Sequence, residues 1–235
     1  MRRQNAFIAV FSTFMGLLGM QSGASAMAAE PTVRRDIEFA TVEGHRLLLD
    51  LYLPAAEGDV ASPPLVVWVH GGAWRAGSKK DMPLGFLLPH GYAIASVDYR
   101  LSPVAQFPAQ VRDIKAAIRF LRASQAGNCG FKADRVAIAG SSAGGLPGGF
   151  GQVTNGHAAL EGAVGEHLDP SSSVQAIVDL YRPTISAPSL KQSTPHGLSV
   201  RVPAFELLLG NLPEQASSPL WPVRWLMSTR MIRRC

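Results

Sequence analysis

Apolar residues along the chain fall into short runs divided by turn-forming clusters, and two periods run through them. "HRLLLDLYLP" (45–54) alternates as a half-buried strand does. "EGDVASPP" (57–64) is a turn-rich connection. "LVVWVH" (65–70) is continuously apolar, as expected of a strand buried on both faces. "YAIASVDYR" (92–100), "RVAIAG" (135–140) and "VQAIVDLY" (174–181) are further strand candidates. Between 107 and 124 the period changes: Val111, Ile114, Ala117, Ile118 and Leu121 recur at helical spacing, with Pro108 in the first turn. Strands alternating with helical segments predict an α/β fold, a mostly parallel sheet with helices on both faces. No internal repeat and no long linker interrupts the pattern.

Composition adds one domain's worth of globular chain: 235 residues, 47% apolar and 17% charged. The net charge of +5 invites a nucleic-acid or membrane reading until it is located. Six of the 22 basic residues are Arg2, Arg3, Arg224, Arg230, Arg233 and Arg234, near the two ends, which leaves 16 against 17 acidic residues. The body is near neutral, so no nucleic-acid partner is expected. "MRRQN" followed by "AFIAVFSTFMGLLGM" has the charged and apolar regions of a signal peptide over 1–26. Cleavage is placed at Ala24-Ser25-Ala26, or alternatively at Ala26-Met27-Ala28. The apolar stretch is short for a membrane span, so a secreted or periplasmic protein without a stable membrane anchor is expected, an uncleaved anchor being the alternative. Two cysteines, Cys129 and Cys235, define no disulfide framework.

The candidate chemistry sits directly after two of the predicted strands. "GSSAGG" (140–145) contains Gly140-x-Ser142-x-Gly144. A serine at a sharp strand-to-helix turn projects its hydroxyl above the sheet, and flanking glycines free that turn from clashes. The N–H of Ala143 then points to where a substrate oxygen becomes negative. "HGGAW" (70–74) follows the buried run and leaves the N–H groups of Gly71 and Gly72 without side chains over them. Acyl transfer builds negative charge on the former carbonyl oxygen, and one fixed donor there is worth about 3–4 kcal/mol. Each motif alone fits an ordinary glycine turn; the two together, each after a buried strand, favour the catalytic reading.

"HGGAW", "VDYRLSP", "FPAQVRDIKAAIRFLRA" and "DRVAIAGSSAGG" together resemble α/β-hydrolase esterases and lipases. The likeness is greatest to the hormone-sensitive-lipase-like branch and to acetyl-xylan/feruloyl esterase-type domains. It is strong from about Val33 to Gly145 and looser through "SSSVQAIVDLY" and "QSTPHGLSVRVPAFELLLG". The resemblance implies an eight-stranded sheet, Ser142 as nucleophile, an oxyanion hole of Gly71, Gly72 and Ala143, no cofactor, no metal, and a small-molecule or polysaccharide-linked ester as substrate. It also implies that His70 shapes its loop, and that Asp98, Arg100 and Asp113 are ion-pair or loop anchors. A peptidase of the same fold is the less expected reading, since such enzymes carry an extra gating domain that these 235 residues are not expected to accommodate.

The family pattern fails toward the C-terminus. The fold orders its triad Ser, Asp or Glu, then His, on loops after later strands. His157, His167 and His196 precede that position, and "NLPEQASSPLWPVRWLMSTRMIRRC" has neither strand pattern nor histidine. Asp179, near a strand end, lacks a base in register. The expected organisation is a signal peptide (1–26), an incomplete hydrolase domain with its last strands missing (33–219), and a frameshifted tail (220–235). Re-read in another frame, "VRWLMSTRMIRRC" permits Thr-Leu-Val-Asp-Glu-His-Ala-Asp-Asp-Pro-Pro-Leu, a family-like acidic segment. "LPGGFGQ" (146–152) and "ISAPSL" (185–190) likewise permit family-like sequences. Pro147 with Gly148, Gly149 and Gly151 disfavours the helix expected after Ser142, at about 1 kcal/mol per interior glycine and about 3 for proline. Such a chain is expected to be poorly soluble and impaired as an esterase, and a hydrolase-fold binding protein or pseudogene product is the alternative. Sequencing the locus past codon 235 tests this: we expect Asp and His codons in another frame. An intact frame with none downstream would contradict it.

Overall fold

A computed structural model describes residues 30–55, 62–125, 129–145, 158–181 and 194–209. Six strands form one sheet in the order β1-β2-β4-β3-β5-β6. They are β1 (Thr32–Val42), β2 (His45–Leu53), β3 (Pro64–Val69), β4 (Ala93–Val97), β5 (Lys132–Ser141) and β6 (Ala176–Leu180). Around them lie α1 (Ala109–Gln125), α2 (Ala158–Glu161), α3 (Pro195–Leu209) and a 3₁₀ segment, Leu84–His90. β1–β2 and β2–β4 pair antiparallel, while β3 pairs parallel with β4 and β5, and β5 with β6. The mostly parallel α/β sheet expected from the sequence is present; strands beyond a sixth are absent among the described residues. The stretch after Ser142 (146–157), the signal segment and the tail lie outside them.

Side-chain alternation on β3 builds both halves of the core. Leu65, Val67 and Val69 face one cluster, with Leu47, Leu49, Leu51, Ile114, Ile118 and Leu121. Val66 and Trp68 face the other, with Tyr52, Ile94 and Leu84 from the 3₁₀ segment. A strand covered on both faces must be apolar at every position, which is why "LVVWV" shows no alternation. α1 buries the expected stripe and also Lys115 and Arg119, which meet Glu161 of α2 at 2.9 and 2.7 Å. Ser172 donates a further 2.8 Å hydrogen bond to Glu161. Burial works to raise the Glu161 carboxyl's pKa, but Ser172 and the two cations outweigh it and hold it below the usual range. This buried cluster ties residues 161–172 to the back of α1.

A second ionic cluster fixes the chain just beyond "HGGAW". Asp50 is fully buried on β2 and accepts from Lys79 Nζ at 2.7 Å and the Asp36 N–H at 2.9 Å. Lys79 also reaches Asp36 at 2.7 Å. Its burial opposes the charge, yet the two carboxylates prevail and its pKa is raised. The Lys79 N–H donates to Asp98 at 2.6 Å, and its carbonyl accepts from Ser96 Oγ at 2.7 Å. The loop after β3 is thereby pinned to β2 and to the end of β4.

Candidate active site

The parallel register brings the candidate residues to one edge. Val69 of β3 pairs with Gly140 of β5 and with Val97 of β4, so His70, Ser141 and Asp98 leave the sheet side by side at its carboxyl end. That end is where open α/β sheets bind ligands.

Ser142 begins a short 3₁₀ turn, Ser142–Gly144, with φ of 51°. The left-handed region is costly for a residue with a Cβ, and its use at a strand-to-helix turn is the strained geometry expected of an exposed nucleophile. Ser142 is exposed while Ala143 and Gly144 are buried. The glycines around it are sterically obligatory. A Cβ on Gly144 would overlap the carbonyl oxygens of Val69 and His70, and one on Gly140 would lie 2.5 Å from the Gly144 carbonyl oxygen. The turn is packed backbone to backbone on the end of β3.

The "HGGAW" loop lies against the same turn. A Cβ on Gly71 would stand 3.1 Å from the Ser141 carbonyl oxygen and 3.4 Å from Ser142 Cβ. Gly72 has φ of 104°, and its carbonyl accepts the N–H groups of Arg75 and Ala76, both at 3.0 Å. Trp74 Nε1 donates to the Ala143 carbonyl at 3.0 Å, joining loop and turn through a side chain. Gly71, Gly72, Ser142 and Ala143, singled out separately in the sequence, therefore form one cluster.

His70 is buried beneath this loop and stacks on Tyr99, ring centroids 4.4 Å apart. Its Nδ1 pairs with the Gly71 carbonyl at 2.8 Å, and the Tyr99 hydroxyl donates to the His70 carbonyl at 3.0 Å. This is the loop-shaping placement expected of it. Arg100 and Asp113 form an ion pair at 2.7 Å and Asp98 accepts from the loop backbone, which makes all three anchors as expected. Asp179 sits opposite Gly140 in the β5–β6 register. Among the described residues no histidine hydrogen-bonds Ser142: His167 is exposed beside Phe120, at 5.8 Å, and His196 is exposed in the first turn of α3. His157 lies outside the described residues. No group of three or more His, Cys, Asp or Glu able to hold a metal occurs among the described residues. The reading of the sequence missed Trp74, Tyr99 and Lys79 as supports; a large aromatic two places after paired glycines was the available signal for Trp74.

The family model BD-FAE matches residues 49–225. Esterase LipC of Mycobacterium tuberculosis is 32% identical over 121 residues, 50% of this chain and 29% of that protein. The ethyl acetate hydrolase of Pseudomonas putida is 31% identical over 121 residues, 50% of this chain and 38% of that protein. The chain thus spans about a third of the length of these curated relatives. Among solved structures, a truncated carbohydrate esterase from gut microbiota is 30% identical with a TM-score of 0.64, covering 83% of this chain and 69% of that one. A bifunctional GH43-CE protein of Bacteroides eggerthii is 34% identical with a TM-score of 0.66, covering 79% of this chain and 25% of that one.

The burial that places His70 also gives it a pH signature. Burial lowers its pKa from the ordinary 6.5, against the pull of the Gly71 carbonyl and Asp98. The unfolded chain then binds a proton that the folded chain refuses. This contribution is fully present above pH 6.5 and declines as pH falls below it. Asp98, raised by burial from 3.8, acts with the opposite sign at lower pH. The urea midpoint of the wild-type chain should fall from pH 6.5 toward acid, and His70→Gln should flatten that fall. An unchanged pH slope in His70→Gln would remove His70 as its source.

Proposed function

The chain belongs to the BD-FAE family of α/β-hydrolases, and from that premise we propose that it is a carboxylic ester hydrolase built on Ser142. The observation that carries the reading is the exposed, left-handed Ser142 against the Gly71–Gly72 loop. Ser142 Oγ attacks the ester carbonyl carbon, and the hydroxyl proton passes to a base. Negative charge on the carbonyl oxygen is met by the N–H groups of Gly71, Gly72 and Ala143, donors fixed before the reaction starts. The C–O bond breaks, the alcohol leaves with a proton, and water releases the acid from the acyl-serine.

The substrate we propose is a small-molecule or polysaccharide-linked ester. The carbohydrate esterases among its structural relatives support the second form. The signal-like segment 1–26 supports export to the periplasm or medium.

His196 is the last histidine of the 235 residues. Among the described residues no histidine reaches Ser142, and a serine that lacks its base is expected to keep only about 10³–10⁴-fold acceleration over water, from hole and binding. Acylation by an activated ester, whose leaving group needs no proton, depends less on that base than deacylation by water does, so such an ester should leave its acyl group on Ser142. Mass spectrometry of the full chain after 4-nitrophenyl acetate should find that adduct on Ser142 and none in Ser142→Ala. Equal hydrolysis by both, with no adduct, would sink the proposal; ester binding without an adduct would favour a binding protein.

A further inference from the structure

Ala73 and Trp74 follow the paired glycines with φ of 54° and 58°. Neither is a glycine, and both occupy the left-handed region. Such strain persists only where surrounding contacts over-determine it, and it concentrates at functional sites. Trp74 is held from three directions. Its indole N–H donates to the Ala143 carbonyl at 3.0 Å. Its own carbonyl accepts the Ser102 N–H at 2.7 Å. Its ring lies against Phe205 of α3, centroids 5.5 Å apart.

The indole bond joins two segments 69 residues apart in the chain. One carries Gly71 and Gly72; the other carries Ser142 and Ala143. The Ala143 carbonyl already accepts the Gly145 N–H within its own turn. The indole N–H is a second donor, and it comes from the loop. From this geometry we infer that Trp74 is a positioning residue, whose indole N–H clamps the oxyanion loop to the nucleophile turn and sets the spacing of their N–H groups. The inference rests on the ester-hydrolase reading of the site. Trp74 touches no reacting atom and acts through the Ala143 peptide. α3 supports the clamp: Phe205 holds the indole ring, and the Leu208 carbonyl accepts the Phe107 N–H at 2.8 Å. A buried tryptophan ordinarily finds some partner for its N–H. Here the partner belongs to the residue that supplies the third donor of the proposed hole.

A fluorophosphonate probe on the full chain tests this. The Ser142 oxygen forms a bond to phosphorus, fluoride leaves, and the hydroxyl proton goes to solvent. Mass spectrometry follows the adduct with time and probe concentration. This gives a limiting rate and a half-saturating concentration. Two variants are compared with wild type. Trp74→Phe keeps a ring and loses the donor. Trp74→benzothienylalanine replaces the N–H by sulfur at nearly constant shape, so a cavity in the first cannot obscure the result. We expect the limiting rate to fall about 10- to 100-fold in both variants, as misplaced catalytic groups do. The half-saturating concentration, and the melting temperature of the isosteric variant, should stay unchanged. Limiting rates within about twofold of wild type would overturn the inference and leave the Ser142 reading standing. Loss of a cooperative melt in both variants would assign Trp74 to folding alone and overturn it too. No adduct on wild-type Ser142 would overturn the ester-hydrolase reading, and this inference with it.

Discussion

The candidate site depends on one close approach of backbone to backbone. Gly144 lies so near the end of β3 that a Cβ there would overlap the carbonyl oxygens of Val69 and His70. That contact seats the turn carrying Ser142 on the strand that leads into the Gly71–Gly72 loop. Parallel pairing of β3 with β5 sets the level at which the two meet, Val69 opposite Gly140. Side chains at these positions would force the segments apart. Ser142 and the Gly71–Gly72 loop thus owe their proximity to missing atoms as much as to attractive contacts.

The rest of the fold holds the ends of these strands in place. The apolar faces of β3 anchor it in both halves of the core, so its end cannot shift without disturbing either. The loop beyond it is fixed by charge where apolar packing runs out. Lys79 is gripped by Asp36 and Asp50, and its N–H binds Asp98. Breaking one member of such a buried pair leaves the other uncompensated, which is costlier than never having had the pair. His70 fills the space under the loop as a neutral, stacked ring. A charged ring there would face the same desolvation without an equally close counter-ion, since Asp98 stands 3.9 Å away.

Much of this was legible in the sequence wherever burial leaves a period. β3 and α1 were readable because one is covered on both faces and the other on a single stripe. The glycine pairs were readable because only backbone contact needs them. β1 was not: only Phe39 and Ala40 of its residues are buried, so it shows no alternation and exists through pairing with β2. α3 was hidden for another reason. "PHGLSVRVPAFELLL" carries an internal Pro203 and β-branched residues, poor helix formers, and the packing of Ala204, Phe205 and Leu208 overrides that preference. The sequence shows Trp74 beside the paired glycines, but which carbonyl its N–H meets depends on a segment far along the chain. The order of the site residues was legible, whereas their mutual contacts needed the register of the sheet.

Equilibrium urea unfolding of Gly144→Ala, set beside Gly85→Ala, tests the central claim most directly. Gly85 has nothing within 4 Å of where its Cβ would be, so it reports the cost of the substitution in open space. The account predicts a loss of about 1–3 kcal/mol for Gly144→Ala, as overpacking against backbone gives, and a change within about 0.5 kcal/mol for Gly85→Ala. Equal stability of the two variants would contradict it, because the turn of Ser142 would then tolerate the side chain that its contact with β3 forbids.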